Sequence, residues 1–302
     1  MSQHKWPPLA YASWKESQAT LHQWAQIVGK IRLQTMPWLN HSWHTTLYIS
    51  PVGFTTQSIP YDGGAFEIVF NFESHRLDII STHADTKTMD LYPRSVADFY
   101  NELFLLLKEI GLDISIHDRP NELEEAIPFF ENEKNCHYDG NAVKNFWHVM
   151  VKINSVFNAF RSKFIGKCSP VHLFWGAFDL AVTRFSGKEA PLHPGGAPNM
   201  PLEVMQEAYS HEVSSAGFWP GGDSFPEPLF YSYCYPTPDD FSKQPIKPDA
   251  AFFNEDLGEF VLLYKDLIAT TNPDQVLMDF LETTYVAAAK TGNWDRKALE
   301  RP

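Results

Sequence analysis

The sequence predicts an α+β fold in which an antiparallel β-sheet packs with helices on one side, and three observations predict it. FEIVFNF (66–72) alternates with the period of a half-buried strand: Phe66, Ile68, Phe70 and Phe72 share one face, and Glu67, Val69 and Asn71 share the other. Four long stretches, 13–35, 95–110, 141–164 and 272–291, carry apolar residues at helical spacing. Strand-like runs are joined by turn signals such as YDGG (61–64) and PGGDSFPEP (220–228).

Each element follows from local chemistry. The 13–35 helix sets Leu21, Trp24, Val28 and Ile31 on one stripe, and Pro37 ends it because proline cannot extend the hydrogen-bond ladder. HSWHTTLYIS (41–50) reads as a strand, PVGFTT (51–56) as a turn and second strand, and RLDIIS (76–81) as a strand after 66–72. Ser95, with Asp98 three residues on, has the pattern of a capping box. The helix it opens has the face Val96, Phe99, Leu103, Leu106, Leu107 and Ile110, and Gly111 closes it. The acidic run 118–140, with its turn residues, reads as a connector. Beyond it lies the 141–164 helix, with Val143, Phe146, Trp147, Met150, Phe157, Phe160 and Phe164 on its apolar face. KCSPVHLFWGAFDLAVTRFSG (167–187) reads as a strand pair and 188–201 as a Pro/Gly loop. HEVSSAGFW (211–219), LFYSYCY (229–235) and GEFVLLY (258–264) read as strands, with 236–250 a Pro-rich loop. Asn272-Pro273 supplies an N-cap and a proline at the first position of the last helix, which Gly292 stops.

The two halves share an order: a helix with a buried Trp (Trp24, Trp147), strands, then a second amphipathic helix. This reads as an internal duplication, with half-repeats 1–117 and 141–302 flanking the 118–140 connector and packing as one unit. A net charge of −13, with no basic stripe, argues against nucleic acid and anionic membranes as partners. No apolar run approaches the ~20 residues of a membrane span. Three scattered cysteines suggest neither a disulfide framework nor a CxxC site, which points to a reducing, cytoplasmic setting. Aromatic residues are 15% of the chain, enough to wall a ligand cavity or simply to fill a core.

Polar residues set among rings concentrate in the second half. In 167–187, Asp179 and Arg184 stand where a core strand would carry Val or Ile. Such charges are costly when buried unless paired, so they either border a partly wet pocket or clasp each other in a dry one. His172 and His211 are the candidate acid–base groups, since imidazole titrates near neutrality, with Glu212 as their partner. Arg184 is the candidate anion anchor, and Trp175, Phe178, Phe218 and Trp219 are the candidate pocket walls. Ser214, Ser215 and Gly217 are small enough to leave room beside a ligand. His172 and His211 can alternatively serve as metal ligands, with Glu212, Asp179 or Cys168 completing a set and His41-x-x-His44 as a further pair, but no HExxH, facial-triad or CxxC spacing occurs, so no metal residue is assigned and the cofactor is left open. Lys167 and His172 flank Cys168 and would favour its thiolate, yet there is no GxSxG elbow, phosphate loop or dinucleotide fingerprint.

GKCSPVHLFWGAFDLAVTRFSG, AYSHEVSSAGFWPGG and TYVAAAKTGNWDRKALE resemble hallmark segments of a bacterial family of unknown function, and QIVGKIRL, NHSWH and LYISPVGFTT resemble its opening motifs. The resemblance spans almost the whole chain and implies a full-length, single-domain member, with no activity to carry over. Three readings follow: an enzyme acting on a small organic molecule, a non-catalytic protein binding a small ligand in the same cavity, or an assembly scaffold. The first requires His172 and His211 to converge on one aromatic-walled hollow, and the second requires the hollow while allowing His211 to be held in structural bonds.

Overall fold

A computed structural model gives the structure of residues 5–301. The first half runs α1 (Lys15–Thr35), β1 (Tyr48–Ile49), β2 (Gly53–Thr55), β3 (Ile59–Tyr61), β4 (Gly64–Asn71), β5 (Arg76–Ser81), β6 (Lys87–Asp90) and α2 (Val96–Glu109). The second runs α3 (Gly140–Ser162), β7 (His172–Phe174), β8 (Asp179–Glu189), α4 (Leu202–Ala208), β9 (His211–Trp219), β10 (Leu229–Tyr235), β11 (Phe252–Asn254), β12 (Glu259–Leu263), α5 (Tyr264–Ile268), α6 (Pro273–Thr291) and α7 (Arg296–Leu299). Both sheets are antiparallel: β1-β2-β4-β5-β6, with β3 also on β4, and β11-β12-β10-β9-β8-β7. The fold is therefore α+β, and the two sheets differ in strand order: β3 pairs with β4 off the main path in the first, and β12 lies between β10 and β11 in the second.

The sheets meet at their edges. Leu47 and Leu173 exchange two backbone bonds, at 3.0 and 2.8 Å, beside β1 and β7. One apolar core includes residues of both halves, among them Trp24, Phe70 and Phe99 from the first and Phe146, Phe178 and Phe230 from the second. The capping chemistry is as expected: the Ser95 hydroxyl accepts from the Asp98 amide at 3.1 Å, and Asn272 accepts from Gln275. A cap of this kind contributes about 1 kcal/mol. The alternation of β4 also appears, with Phe66, Ile68, Phe70 and Phe72 almost wholly buried.

Helix α1 occupies the middle of the molecule, and every residue from Gln23 to Arg32 is buried. Buried polar groups must find partners, and those of α1 find them in distant segments. Gln18 donates to the Gly221 carbonyl (2.7 Å) and Arg32 to the Thr56 carbonyl. His22 Nε2 lies 2.9 Å from both the Trp175 and Gly176 carbonyls. Gln26 makes a reciprocal pair with the Asn121 backbone at 2.9 Å, and Lys30 donates to the Asn121 side chain. Gly29 lets the Trp175 indole lie flat on the helix, because a Cβ there would overlap the ring.

Three expectations need correction. HSWHTTLYIS is a strand only at Tyr48–Ile49. His41 and Ser42 take left-handed backbone (φ 57° each), and the Leu39 amide donates to His44 Nδ1 at 3.2 Å, which folds the segment into a turn. The helices do not all lie on one side: α3 and α6 flank one face of the second sheet, while Tyr209, just after α4, meets Tyr233 on the other. Asp179 and Arg184 do not clasp each other. The β7–β8 hairpin pairs Phe174 with Asp179 across Trp175–Phe178, with Phe178 in the left-handed region (φ 62°). That turn puts Asp179 on the His172 face and Arg184 on the helix face.

Arg184, 1% exposed, is clamped there between α3 and α6. Its guanidinium lies 3.5 Å from the Phe160 ring centroid and 4.3 Å from that of Tyr285. It donates to the Phe160 carbonyl at 2.5 Å and faces Glu282 at 3.6 Å. The pair holds two helices to the sheet, and no ligand role is needed to explain it.

Two stability measurements check this account. Gly29→Ala drives a Cβ into a buried indole held by the Thr45 carbonyl, and urea denaturation should show a loss of about 1–3 kcal/mol. Arg184→Ala should cost about 3–5 kcal/mol, while Arg184→Met combined with Glu282→Leu, which strands no charge, should recover most of it.

Candidate functional site

The imidazoles expected to converge are held apart by register. His172 pairs with Ala181, and Ala181 pairs with Gly217, six residues along β9 from His211. At about 3.3 Å per residue, that is roughly 20 Å along the strand. His172 is fully buried, with neither ring nitrogen bonded. Burial, then Arg32 and Arg161, hold its pKa down at about 3, so it stays neutral. His211 bonds Ser210 Oγ at 3.1 Å and lies near His41, with ring centroids 6.0 Å apart. Glu212 projects from the opposite face of β9, 3.9 Å from Lys188. Phe178 and Phe218 are core residues, 1% and 0% exposed, rather than pocket walls. Trp175 is tied to the Thr45 carbonyl at 2.7 Å, and Trp219 lies half-buried against Gly222. Cys168 is held as a thiol: burial raises its pKa to about 11, outweighing its cationic neighbours.

A different set of groups gathers on the outer face of the second sheet. Asp179, Thr183, Ser215, Gly217, Tyr231 and Tyr233 share this face by register. Gly217 is where the floor is shaped. A Cβ there would collide with the Tyr231 ring, so its absence lets that ring cross β9 and donate its hydroxyl to Asp179 on β8. Tyr233 meets Tyr209 hydroxyl to hydroxyl at 2.7 Å, and Thr183 meets Ser215 at 2.9 Å. The room predicted beside the small residues is thus partly filled by tyrosine.

Segments 190–201 and 121–123 border this floor. Tyr235 donates to the Pro191 carbonyl at 3.0 Å, and His193 stacks on Tyr209, with centroids 4.4 Å apart. Farther along, the Glu122 amide donates to the Pro198 carbonyl, the Asn121 side chain donates to the Asn199 carbonyl, and the Asn199 side chain donates to the Leu123 carbonyl. The α1 ladder fixes Asn121, and Glu122 then lies over Gly176, where a Cβ would strike its carboxyl. Glu122 itself has φ 59°. Left-handed backbone in a non-glycine residue is costly and recurs at functional sites; here it flanks the cluster at both Glu122 and Phe178.

Three carboxyls therefore face this floor. Burial pushes Asp179 up to about 6, with the Tyr231 bond opposing the rise. Burial, then the Asp179 charge, push Glu122 and Glu259 each to about 7. Glu122 and Glu259 remain half-buried, as do the tyrosines, so solvent reaches the cluster. Burial and the same carboxyls hold the Tyr231 hydroxyl well above its usual range, so it acts as a hydrogen-bond donor and not as a base. Shallow hollows near the start of α1, lined by residues such as Tyr11, Lys15 and Asp223, hold no comparable set. Among the described residues, no group of three or more His, Cys, Asp or Glu has metal-centre geometry, and no helix is long and apolar enough to cross a membrane.

The sequence carried a partial signal for this site. Asp179 stood out as a charge amid rings, and the tyrosines of LFYSYCY alternate, placing three phenols on one strand face. Glu122 and Glu259 had none: one sits in an acidic connector and the other before an apolar strand.

Comparison with curated proteins and with solved structures finds no match in either. A family model described as a family of unknown function (DUF5996) matches residues 6–301, and the chain belongs to that family.

Proposed function

We propose that the protein is an enzyme that acts on a small organic molecule by carboxyl-based proton transfer on the tyrosine-floored face of the second sheet. The observation that carries this reading is the gathering of Asp179, Glu122 and Glu259 on one tyrosine-floored face, where burial raises all three carboxyls and Glu122 and Glu259 stay partly exposed beside buried Asp179. Proton transfer works best when the catalytic pKa lies near the operating pH, and raised carboxyls cluster at sites built for it. Asp179, stabilised as the anion by the Tyr231 hydroxyl, takes the role of base. Glu122 and Glu259, which hold their protons to higher pH, take the role of acid. The tyrosines supply ring faces and hydroxyls to orient the substrate. The aromatic-lined site and acid–base chemistry expected from the sequence are kept in this reading, but the proton-carrying groups move from His172 and His211 to carboxyls.

Carbon-detected NMR of the side-chain carboxyls tests the premise: Glu122 and Glu259 should titrate near pH 7, and titration of both in the ordinary range near 4.5 would sink the reading. Saturation-transfer NMR against a library of small polar metabolites tests the consequence. At least one compound should bind the wild type and lose binding in Asp179→Asn and Tyr231→Phe, and turnover of that compound separates an enzyme from a binding protein.

Stability provides a second check, with a definite sign. The folded Asp179 holds its proton up to about 6, against 3.8 ordinarily. The folded state thus binds more protons across that window, and its advantage is lost as pH rises through it. His22 and His172, held neutral by burial, act in the opposite sense, so the informative quantity is a difference. The stability of wild type minus that of Asp179→Asn, from urea denaturation, should fall from about pH 4 through about 7, the upper part because the Asp179 charge also raises Glu122 and Glu259, and be flat above.

A further inference from the structure

At the other end of β9 from Asp179, Lys167 and His41 form a dyad outside the carboxyl site. Lys167 Nζ lies 2.7 Å from His41 Nε2. His41 Nδ1 is 2.9 Å from the Ala208 carbonyl. A carbonyl can only accept, so Nδ1 carries the hydrogen and Nε2 presents a lone pair to the ammonium. The imidazole is 4% exposed, whereas Lys167 is open to solvent. The ammonium also lies 5.0 Å from the Phe185 ring centroid and 5.5 Å from that of Trp43, and the His211 ring borders His41. Among the described residues no carboxylate comes within ion-pair distance of Lys167, in contrast to Lys87, Lys144, Lys243 and Lys265. His41 and Ser42 hold left-handed backbone at φ 57° each, a strain that sets the imidazole against the lysine.

We infer that Lys167 is a nucleophilic amine that condenses with the carbonyl of a small aldehyde or 2-oxo acid, with His41 relaying its proton. An activated lysine needs a nearby group to accept its proton and no anion to hold the charged form, and this dyad meets both requirements. The ring faces favour the ammonium only weakly at an exposed position. Burial acts against it, and both Lys167 and His41 have their pKa values lowered, chiefly by desolvation.

The step balances. The ammonium passes one proton to His41 Nε2, and the freed lone pair forms the C–N bond as the carbonyl π bond breaks. The oxygen takes that proton back from His41, giving a carbinolamine. Its hydroxyl leaves as water together with a proton from nitrogen, so that ammonium plus carbonyl becomes protonated imine plus water. No oxidant or further reactant enters.

Two experiments on the full chain test this. In competitive labelling with limiting acetic anhydride at pH 7.5, read by peptide mass spectrometry, Lys167 should acylate several times faster than exposed Lys108 and carboxylate-paired Lys243. Glyoxylate followed by borohydride should leave a carboxymethyl adduct on Lys167 ahead of the other lysines, and Lys167→Arg should lose it. His41→Asn, in which asparagine tolerates the left-handed backbone, should reduce Lys167 to the rate of Lys108. Equal rates for Lys167 and Lys108 in the wild type, or an adduct spread evenly over the lysines, would overturn the proposal whether or not the His41 variant folds.

Discussion

A helix buried on nearly every side must satisfy its own polar side chains, and that requirement organises this molecule. From Gln23 to Arg32, α1 has no wet face, yet it carries Gln26, Lys30 and Arg32, with His22 just before. An unpartnered buried donor costs about 1–3 kcal/mol, so each of these residues pins a piece of chain. Arg32 reaches the segment after β2, Gln26 and Lys30 hold the connector at Asn121, and His22 and Gln26 hold the Trp175–Gly176 turn. These segments come from both halves. The helix ties the halves together less by its apolar stripe, which any partner could cover, than by bonds that only particular carbonyls can accept.

The outer face of the second sheet inherits its geometry from those bonds. Glu122 has no strong local reason to stand over Gly176. It is there because Asn121, one residue earlier, is fixed in a reciprocal pair with Gln26 and capped by Lys30. The price is a left-handed backbone at Glu122 and a carboxylate brought near Asp179. Burial, and after it the Asp179 charge, raise the proton affinity of Glu122, and so the same contact that orders the connector moves that carboxyl toward neutrality. Strain, burial and charge repulsion all trace back to one helix.

Much of the fold was legible because it is written in local chemistry. Ser95, Asn272 and Pro273 mark helix starts by side-chain geometry, and Phe66 to Phe72 mark a strand by period. Those signals need no knowledge of the rest of the chain. The β7–β8 hairpin was not legible, since counting alternate residues from His172 assumes an unbroken strand. The turn at Trp175–Phe178 resets the count, with left-handed Phe178 closing it, and a phenylalanine gives no hint of that conformation. Asp179 and Arg184 stand out in the sequence as anomalies, but whether they meet is decided by that turn, which sends them to opposite faces. His172 and His211 sit in segments that meet the same sheet, but register is a long-range property, and it places them near opposite ends.

The two sites then differ in a way that follows from how each was built. On the carboxyl floor, buried phenols and acids gather by strand register, so the chemistry belongs to the sheet and its spacing is rigid. At the dyad, the imidazole is supplied by a strained turn, the amine by the approach to β7, and the tautomer by the end of α4. Three separate segments must be in place before Nε2 faces Nζ. Lys167 is surrounded by rings and an imidazole rather than by any of the 37 acidic residues. Stability alone does not account for that choice: a carboxylate at position 41 would bind the ammonium more strongly and would leave the amine inert. An imidazole held in one tautomer gives up ion-pair strength and keeps the amine available, and that exchange has physical sense only where the nitrogen is to be used.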